Sequence, residues 1–344
     1  MTLNRRKQAI LAAIIKTHIL TGEPVGSKTL CNMFDFGLSS ATLRNEMSEL
    51  CELGFLEQPH TSAGRIPSSL GYRIYVDNIL PELTVSAENK AAIDGAFETL
   101  SPDPEYLPGE ATKMLSDLTG LTAINATVVS PNTTVRRAEV VSLGRRMIML
   151  LVVTSDGNTK KRICRTATEI SPKTLAVFEK LLADKIDGQR LSGITPAYIQ
   201  TVISSAGADA FSVISLMSAI YGLITDIMNT KINIAGESNL FKNLKNDAAA
   251  GRLLEYMTHS ESVIPILENG KGTVNVLFGD ETDIAALKPS CLIVTSYGTG
   301  DTKSGRIGVI GSTRMAYDNI IPSIEYFAHR LGNAMTEALQ DMEV

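Results

Sequence analysis

The sequence predicts a multidomain α+β chain, and three observations carry that reading. Its 344 residues exceed the roughly 100–200 of one domain. Strand-like runs fall both before and after a block of helices, the order of an α+β domain carrying an insertion. Charge divides unevenly: residues 1–76 hold eight Lys/Arg against six Asp/Glu, a net of +2, which leaves -7 on the remainder from a total of -5. A chain with 44% hydrophobic and 20% charged residues is neither largely disordered nor collagen-like. Its mild acidity excludes a protein that is basic overall. A local nucleic-acid module is still allowed, because association depends on where charge sits.

The N-terminal segment reads as three helices and a hairpin. Leu3, Ile10, Leu11, Ile14, Ile15 and Leu20 repeat with helical period and stop at Gly22 and Pro24. Ser27 is placed as the N-cap of a short helix with Leu30, Cys31 and Phe34 inward, and Gly37 marks the turn. Ser39 or Ser40 caps a third helix, in which Leu43, Met47 and Leu50 share one face. Gly54 ends it. The run FLEQPHTSAGRIP then predicts two short strands around Thr61–Gly64, followed by a helix from about Ser68 to Leu80. Residues 1–81 thus form a winged helix-turn-helix pattern, and residues 82–108 are expected to be a linker, in which Pro81 begins an acidic helical stretch and the Pro-rich SPDPEYLP is the clearest linker signal.

Four strands follow in TAINATVVS, RRAEVVSLG, MIMLLVVTS and TKKRICRT, with Asp156-Gly157 as a hairpin turn. Helices are predicted over Ser171–Ile186, Asp209–Asn229 and Asp247–Met257, three strands at Thr273–Phe278, Cys291–Ser296 and Arg306–Ile310, and a last helix over Ser323–Leu339. The Asp209–Asn229 segment is too apolar to stand alone in water. No uninterrupted apolar run approaches the ~18–20 residues of a membrane span, so no membrane association is expected. The start MTLNRRKQAILAAII imitates a signal peptide, but Lys16 and His18 break its apolar run and no cleavage site follows. The expected compartment is the cytoplasm.

The chemistry of the N-terminal segment is that of double-stranded DNA recognition. A helix fits the major groove, with its N-terminal residues meeting base edges. Ser39, Ser40 and Thr42 offer short donors and acceptors, Arg44 suits guanine and Asn45 suits adenine. The hairpin tip adds His60, Thr61, Ser62 and Arg65 for phosphates or the minor groove, with Gly64 allowing close backbone approach. The competing reading is a protein-interaction module with a solvated face. No catalytic residue, metal site or cofactor is expected. Cys31, Cys51, Cys164 and Cys291 are scattered, and none forms a CxxC pair. The four histidines are widely separated, and the glycines of SYGTGDTKSGRIGVIG lack the GK[ST] ending of a phosphate loop. Arg314 is the downstream polar residue of most interest, either in an ion pair or as a contact for an effector or partner.

EPVGSKTL, LSSATLRNEMSEL, QPHTSAGRIP and GYRIYVD, with GESNLF and GRIGVIGSTRMAYDNII downstream, resemble the heat-inducible transcription repressor family HrcA. The resemblance implies an N-terminal winged helix-turn-helix and a GAF-like α+β domain (residues 109–167 and 235–344) with an inserted, mainly helical dimerisation domain (residues 168–234). It further implies repression of chaperone operons by a homodimer on an inverted-repeat operator called CIRCE, with a GroEL-type chaperonin as partner. Ser312 stands where the family has Pro in GPTRM, and Cys51-Glu52 replaces Leu-Glu. A rival from another class is a small-molecule sensor or enzyme, with a pocket around Arg314 in the C-terminal domain. Charge on the reading head and an acidic remainder predict paired local DNA contacts rather than attraction by a global field.

Overall fold

The computed structural model describes residues 3–60, 64–80, 84–130, 132–244, 246–268, 273–299 and 302–340. Helix α1 (Arg5–Thr21) starts at Asn4, whose side chain accepts the Lys7 N–H at 2.8 Å. It ends at Gly22, where φ is +74°, a left-handed closure that glycine adopts without Cβ strain. Helices α2 (Ser27–Met33) and α3 (Ser40–Glu52) follow. Gly26, not Ser27, occupies the N-cap of α2. Ser27 is instead the first helical residue, and its hydroxyl pairs with Ser40 Oγ at 3.0 Å across the two helices. Ile10, Leu11, Ile14, Leu30, Leu43 and Leu50 close a core with no exposed surface.

Strands β1 (Leu56–Glu57) and β2 (Ile66–Pro67) form the expected hairpin, with Leu56 opposite Pro67. Helix α4 (Ser69–Ile74) begins at Ser68, which caps the Gly71 N–H. The single helix expected to Leu80 instead widens into a π-helical turn over Tyr75–Ile79. Gly71 is required by packing, since a Cβ there would strike the Phe55 carbonyl.

The segment expected as a linker contains a docked helix, α5 (Ala87–Phe97). Ile93 and Phe97 supply its buried face, and Phe97 meets Phe327 at a tilt, with 4.9 Å between ring centroids. The Pro-rich stretch is the connection from α5 to α6 (Leu107–Thr119). Beyond it lies a five-stranded antiparallel sheet in the order β7-β3-β10-β9-β8. Its strands are β3 (Thr122–Thr127), β7 (Lys231–Ala235), β8 (Val274–Phe278), β9 (Ser290–Thr299) and β10 (Thr302–Ser312). Side chains alternate across it. Ala123, Ile293, Ile307 and Val309 face α5, α6 and the last helix, α13 (Tyr317–Gln340). Ile124, Leu292, Val294 and Ile310 face α10 (Ser238–Leu244), α11 (Asp247–Thr258) and α12 (Ser260–Glu268). Helix α13 starts earlier than the pattern suggested and carries Pro322 within it.

Between β3 and β7, which are hydrogen-bonded neighbours, the chain leaves the sheet for residues 128–230. This excursion holds a separate antiparallel sheet of β4 (Val135–Gly144), β5 (Met147–Thr154) and β6 (Thr159–Arg165). It also holds α7 (Pro172–Leu181), α8 (Pro196–Ser205) and α9 (Ala210–Met228). Val135, Ile148, Leu150 and Val152 share a core with Phe178, Leu216, Ile220 and Ile224. The strands placed with the C-terminal domain on sequence order therefore pack with the inserted helices, since their inward residues complete that core. Residues 207–228 are long and apolar enough to cross a membrane by composition alone, with a mean hydropathy of 1.7. The core helix of a water-soluble protein passes the same test, and Asp209 and Asp226 interrupt the stretch. In the fold, one face of α9 is buried through Val213, Met217, Leu223 and Ile227.

The N-terminal helices are not isolated from the sheet. Tyr72 packs against Phe278 and Tyr317, with ring centroids 6.2 and 6.0 Å away. Its hydroxyl lies 2.9 Å from His18 Nδ1. Arg73 binds Glu281 through a fork, with Nε to Oε1 at 2.7 Å and a second contact from Nη2, which also donates to the Val276 carbonyl at 2.7 Å. Burial first, then the charge of Arg314, lowers the His18 pKa below 6.5, and Glu23 only partly opposes them. The unfolded chain therefore takes up this proton before the folded chain does. Stability should fall as pH drops below about 6.5 and show no slope from His18 above it. Denaturation midpoints followed from pH 7 to 5 should decline less in His18→Gln than in wild type.

Candidate nucleic-acid interface

Helix α3 presents its N-terminal turn outward because Leu43, Met47 and Leu50 commit the opposite face to the core. Ser39 is the cap. Its Oγ accepts the Thr42 N–H at 3.1 Å and lies 2.9 Å from Thr42 Oγ1. Ser40 is half-buried, with its hydroxyl on Ser27. Thr42, Arg44 and Asn45 are exposed. Among the described residues, no hydrogen bond or ion pair engages the side chains of Arg44 or Asn45. This turn therefore combines short hydroxyls, a free guanidinium and a free carboxamide at one helix N-terminus, the donor and acceptor set that meets base edges and phosphates.

Electrostatics favour the same place, through residues that pattern reading passed over. Helix α3 also carries Glu46 and Glu49, which would repel phosphate. Lys7 of α1 reaches both, at 3.0 and 2.8 Å, and Arg6 lies 3.7 Å from Glu46. Those cations, read from sequence only as the head of a false signal peptide, neutralise the acidic flank. The clue in sequence was two clusters of opposite sign on helices that must pack together.

The hairpin differs from expectation in its use of Gly64 and Arg65. Arg65 N–H donates to the Val25 carbonyl at 2.9 Å and its carbonyl accepts the Val25 N–H at 2.8 Å, which adds the α1–α2 loop to the β-ribbon. A Cβ on Gly64 would collide with Val25 and Pro24 backbone, so its close approach is to this chain. Arg65 is half-buried, and its Nε is buried without a hydrogen-bond partner among the described residues. His60 is exposed at the tip; Thr61 and Ser62 lie outside the described residues.

Arg314 sits away from that surface. Its guanidinium covers Gly22, where a Cβ would strike Nη1, and so places positive charge at the C-terminal end of α1, the negative pole of the helix. Among the described residues it has no ion pair. Ser312 accepts the Arg314 N–H at 3.3 Å through its Oγ and holds the turn by a hydrogen bond. A cavity of about 230 Å³ opens elsewhere, between α5, α6 and α13, lined by Ile93, Leu115, Ile320 and Phe327 with Asn89 and Asn319. All four cysteines are free, and no His/Cys/Asp/Glu group among the described residues could hold a metal ion.

The family profile described as HrcA protein C terminal domain matches residues 107–321. The chain belongs to the HrcA family. Two relatives named heat-inducible transcription repressor HrcA agree over nearly full length. That of Acetivibrio thermocellus is 30% identical and aligns over 96% of each chain. The HrcA of Carboxydothermus hydrogenoformans is 32% identical over 96% of this chain and 97% of its own. A crystal structure at 2.2 Å resolution, titled only as a hypothetical protein, shares the fold. It has a TM-score of 0.68 and 23% identity, and covers 98% of this chain and all of that one. The GESNLF and STRM motifs both fall inside the matched HrcA segment. With the family come transcription repression and heat-shock regulation as the field of activity.

Capping gives a test of the local geometry. Ser39→Ala should cost about 1 kcal/mol, read as a lower unfolding midpoint. Ser40→Ala removes only the Ser27 contact.

Proposed function

We propose that this HrcA protein is a homodimeric repressor of chaperone operons that binds a CIRCE-type inverted repeat through an N-terminal winged helix-turn-helix. In this reading α2 and α3 are the helix-turn-helix, the β1–β2 ribbon is the wing, the five-stranded sheet with its helices is a GAF-like body, and residues 128–230 form the dimerising arm. The observation that carries it is the exposed N-terminal turn of α3, with Thr42, Arg44 and Asn45 outward and the nearby carboxylates held by Lys7.

A dimer follows from size and symmetry. One such head covers too little DNA for tight specific binding, and two related by a dyad read two half-sites. The arm supplies apolar surface for the contact: Phe211 is 88% exposed, and Ile214, Met147 and Ile163 are also exposed. A GroEL-type chaperonin is the proposed regulatory partner. It can act only by binding the DNA-competent and incompetent arrangements with different affinity. Heat could act on the arm directly, loosening the dimer and releasing DNA.

Gel shifts on an inverted repeat, with and without chaperonin and across temperature, test the whole reading; equal affinity for random duplex would overturn it. Arg44→Ala and Asn45→Ala should each cost about 1–3 kcal/mol at particular operator positions, measured against a panel of single-base operator variants. Equal losses on random DNA would make both phosphate contacts. Phe211→Asp should shift the protein from dimer towards monomer in sedimentation and weaken the full operator more than a half-site.

A further inference from the structure

Helix α4 carries none of the proposed DNA-reading side chains, yet it makes a directional contact between the N-terminal helices and the body. Ser69 and Arg73 lie one helical turn apart and so share a face. They engage two consecutive residues of the body: Ser69 Oγ donates to Asp280 Oδ2, and Arg73 forks onto Glu281. Arg73 is fixed further by the Val276 carbonyl, by Asp77 at 3.3 Å and by the Phe278 ring 4.8 Å beneath its guanidinium. Its partner is equally well held. Glu281 accepts the Phe278 N–H at 3.3 Å and ends the short turn Gly279–Glu281, where Gly279 packs so closely on the Leu287 carbonyl that no Cβ fits.

Two kinds of contact meet at this junction, and they do different things. The buried cluster of Tyr72, Phe278 and Tyr317 supplies adhesion, which is non-directional. A planar guanidinium on a carboxylate sets direction as well, because its two parallel bonds fix an angle. The pair is at the rim, with side chains 23% and 33% exposed, so its loss leaves the aromatic core covered.

We propose that Arg73 and Glu281 are positioning residues for operator binding: their fork sets the angle between reading head and body, and so the separation of the two heads in a dimer. This rests on the DNA-binding reading above. A single head should meet one half-site equally well with or without the fork. Two heads gain from one another only if their spacing matches the repeat, since the second contact depends on the effective concentration that the first creates.

The test uses full-length protein on three DNAs: an inverted repeat, a single half-site, and repeats whose spacer is one base pair longer or shorter. Arg73→Glu and Glu281→Arg should each weaken the inverted repeat by about tenfold, a coupling of ordinary size between contacting residues. Half-site affinity should stay unchanged and the spacer preference should flatten. The Arg73→Glu/Glu281→Arg double variant restores the pairing with its sense reversed and should recover the preference. Glu281→Gln, which keeps shape and loses charge, should fall between wild type and the reversals, and serves if a reversal does not fold. The proposal is overturned if single variants keep the spacer preference, if the double variant fails to recover it, if half-site affinity falls in parallel, or if breaking the fork tightens operator binding. A wild-type protein that does not prefer the inverted repeat to random duplex overturns the DNA-binding reading and this proposal with it.

Discussion

Burial of both faces of the β7-β3-β10-β9-β8 sheet is the constraint on which the rest of the structure depends. The alternation of Ile307 and Val309 with Ile310, and of Ile293 with Leu292 and Val294, leaves apolar side chains on either side, and each must be covered. Helices α10–α12 cover one face and α5, α6 and α13 the other. Strand spacing adds its own demand at Gly308, where a Cβ would strike the Ile293 carbonyl. The N-terminal helices join this arrangement through Tyr72, so head and body share one continuous buried cluster. A head docked in this way is held against the body, unlike one hung on a flexible tether.

Local pattern was enough to read most of the strands and the N-terminal helices. Leu43, Met47 and Leu50 at helical spacing placed the core face of α3, and Asp156-Gly157 marked the turn between β5 and β6, where Gly157 has φ of +78°. What stayed hidden depends on long-range pairing. Strand β7 is five residues long; Ile232 and Ile234 alternate with Lys231 and Asn233, but so brief a pattern does not stand out, and its ladder with β3 defines it. An acidic helical stretch was legible at α5, but its docking was not, because its buried face is just Ile93 and Phe97. Their significance comes from Phe327 and from Asp94, which accepts from Tyr326 and pairs with Arg330, far along the chain.

The candidate interface shows the same division. Residue types at the N-terminus of α3 could be named in sequence, but their availability could not. Ser40 and Ser39 are adjacent and alike in chemistry, yet one is tied to Ser27 and the other caps the helix. Arg65 reads as a surface cation and is half-buried because the Val25 bridge draws it in. The regional charge of -7 also conceals a cationic sheet in the arm. Residues 135–165 contain Arg136, Arg137, Arg145, Arg146, Lys160, Lys161, Arg162 and Arg165 against Glu139 and Asp156. Net charge over a long segment averaged away the local fields that guide association.

The attachment of the arm has a mechanical consequence. Its two ends enter the sheet side by side, at Thr127 and Lys231, and among the described residues β7 is an edge strand paired with β3 alone. A pull on the arm away from the sheet loads the ladder at that end first, so its pairs open one after another like a zipper. A pull along the strands draws β3 and β7 the same way and shears β3 against β10 instead, where six pairs share the load. The attachment is thus weak in one direction and strong in the other. How far a strained arm disturbs the body depends on the direction of the force as much as on its size.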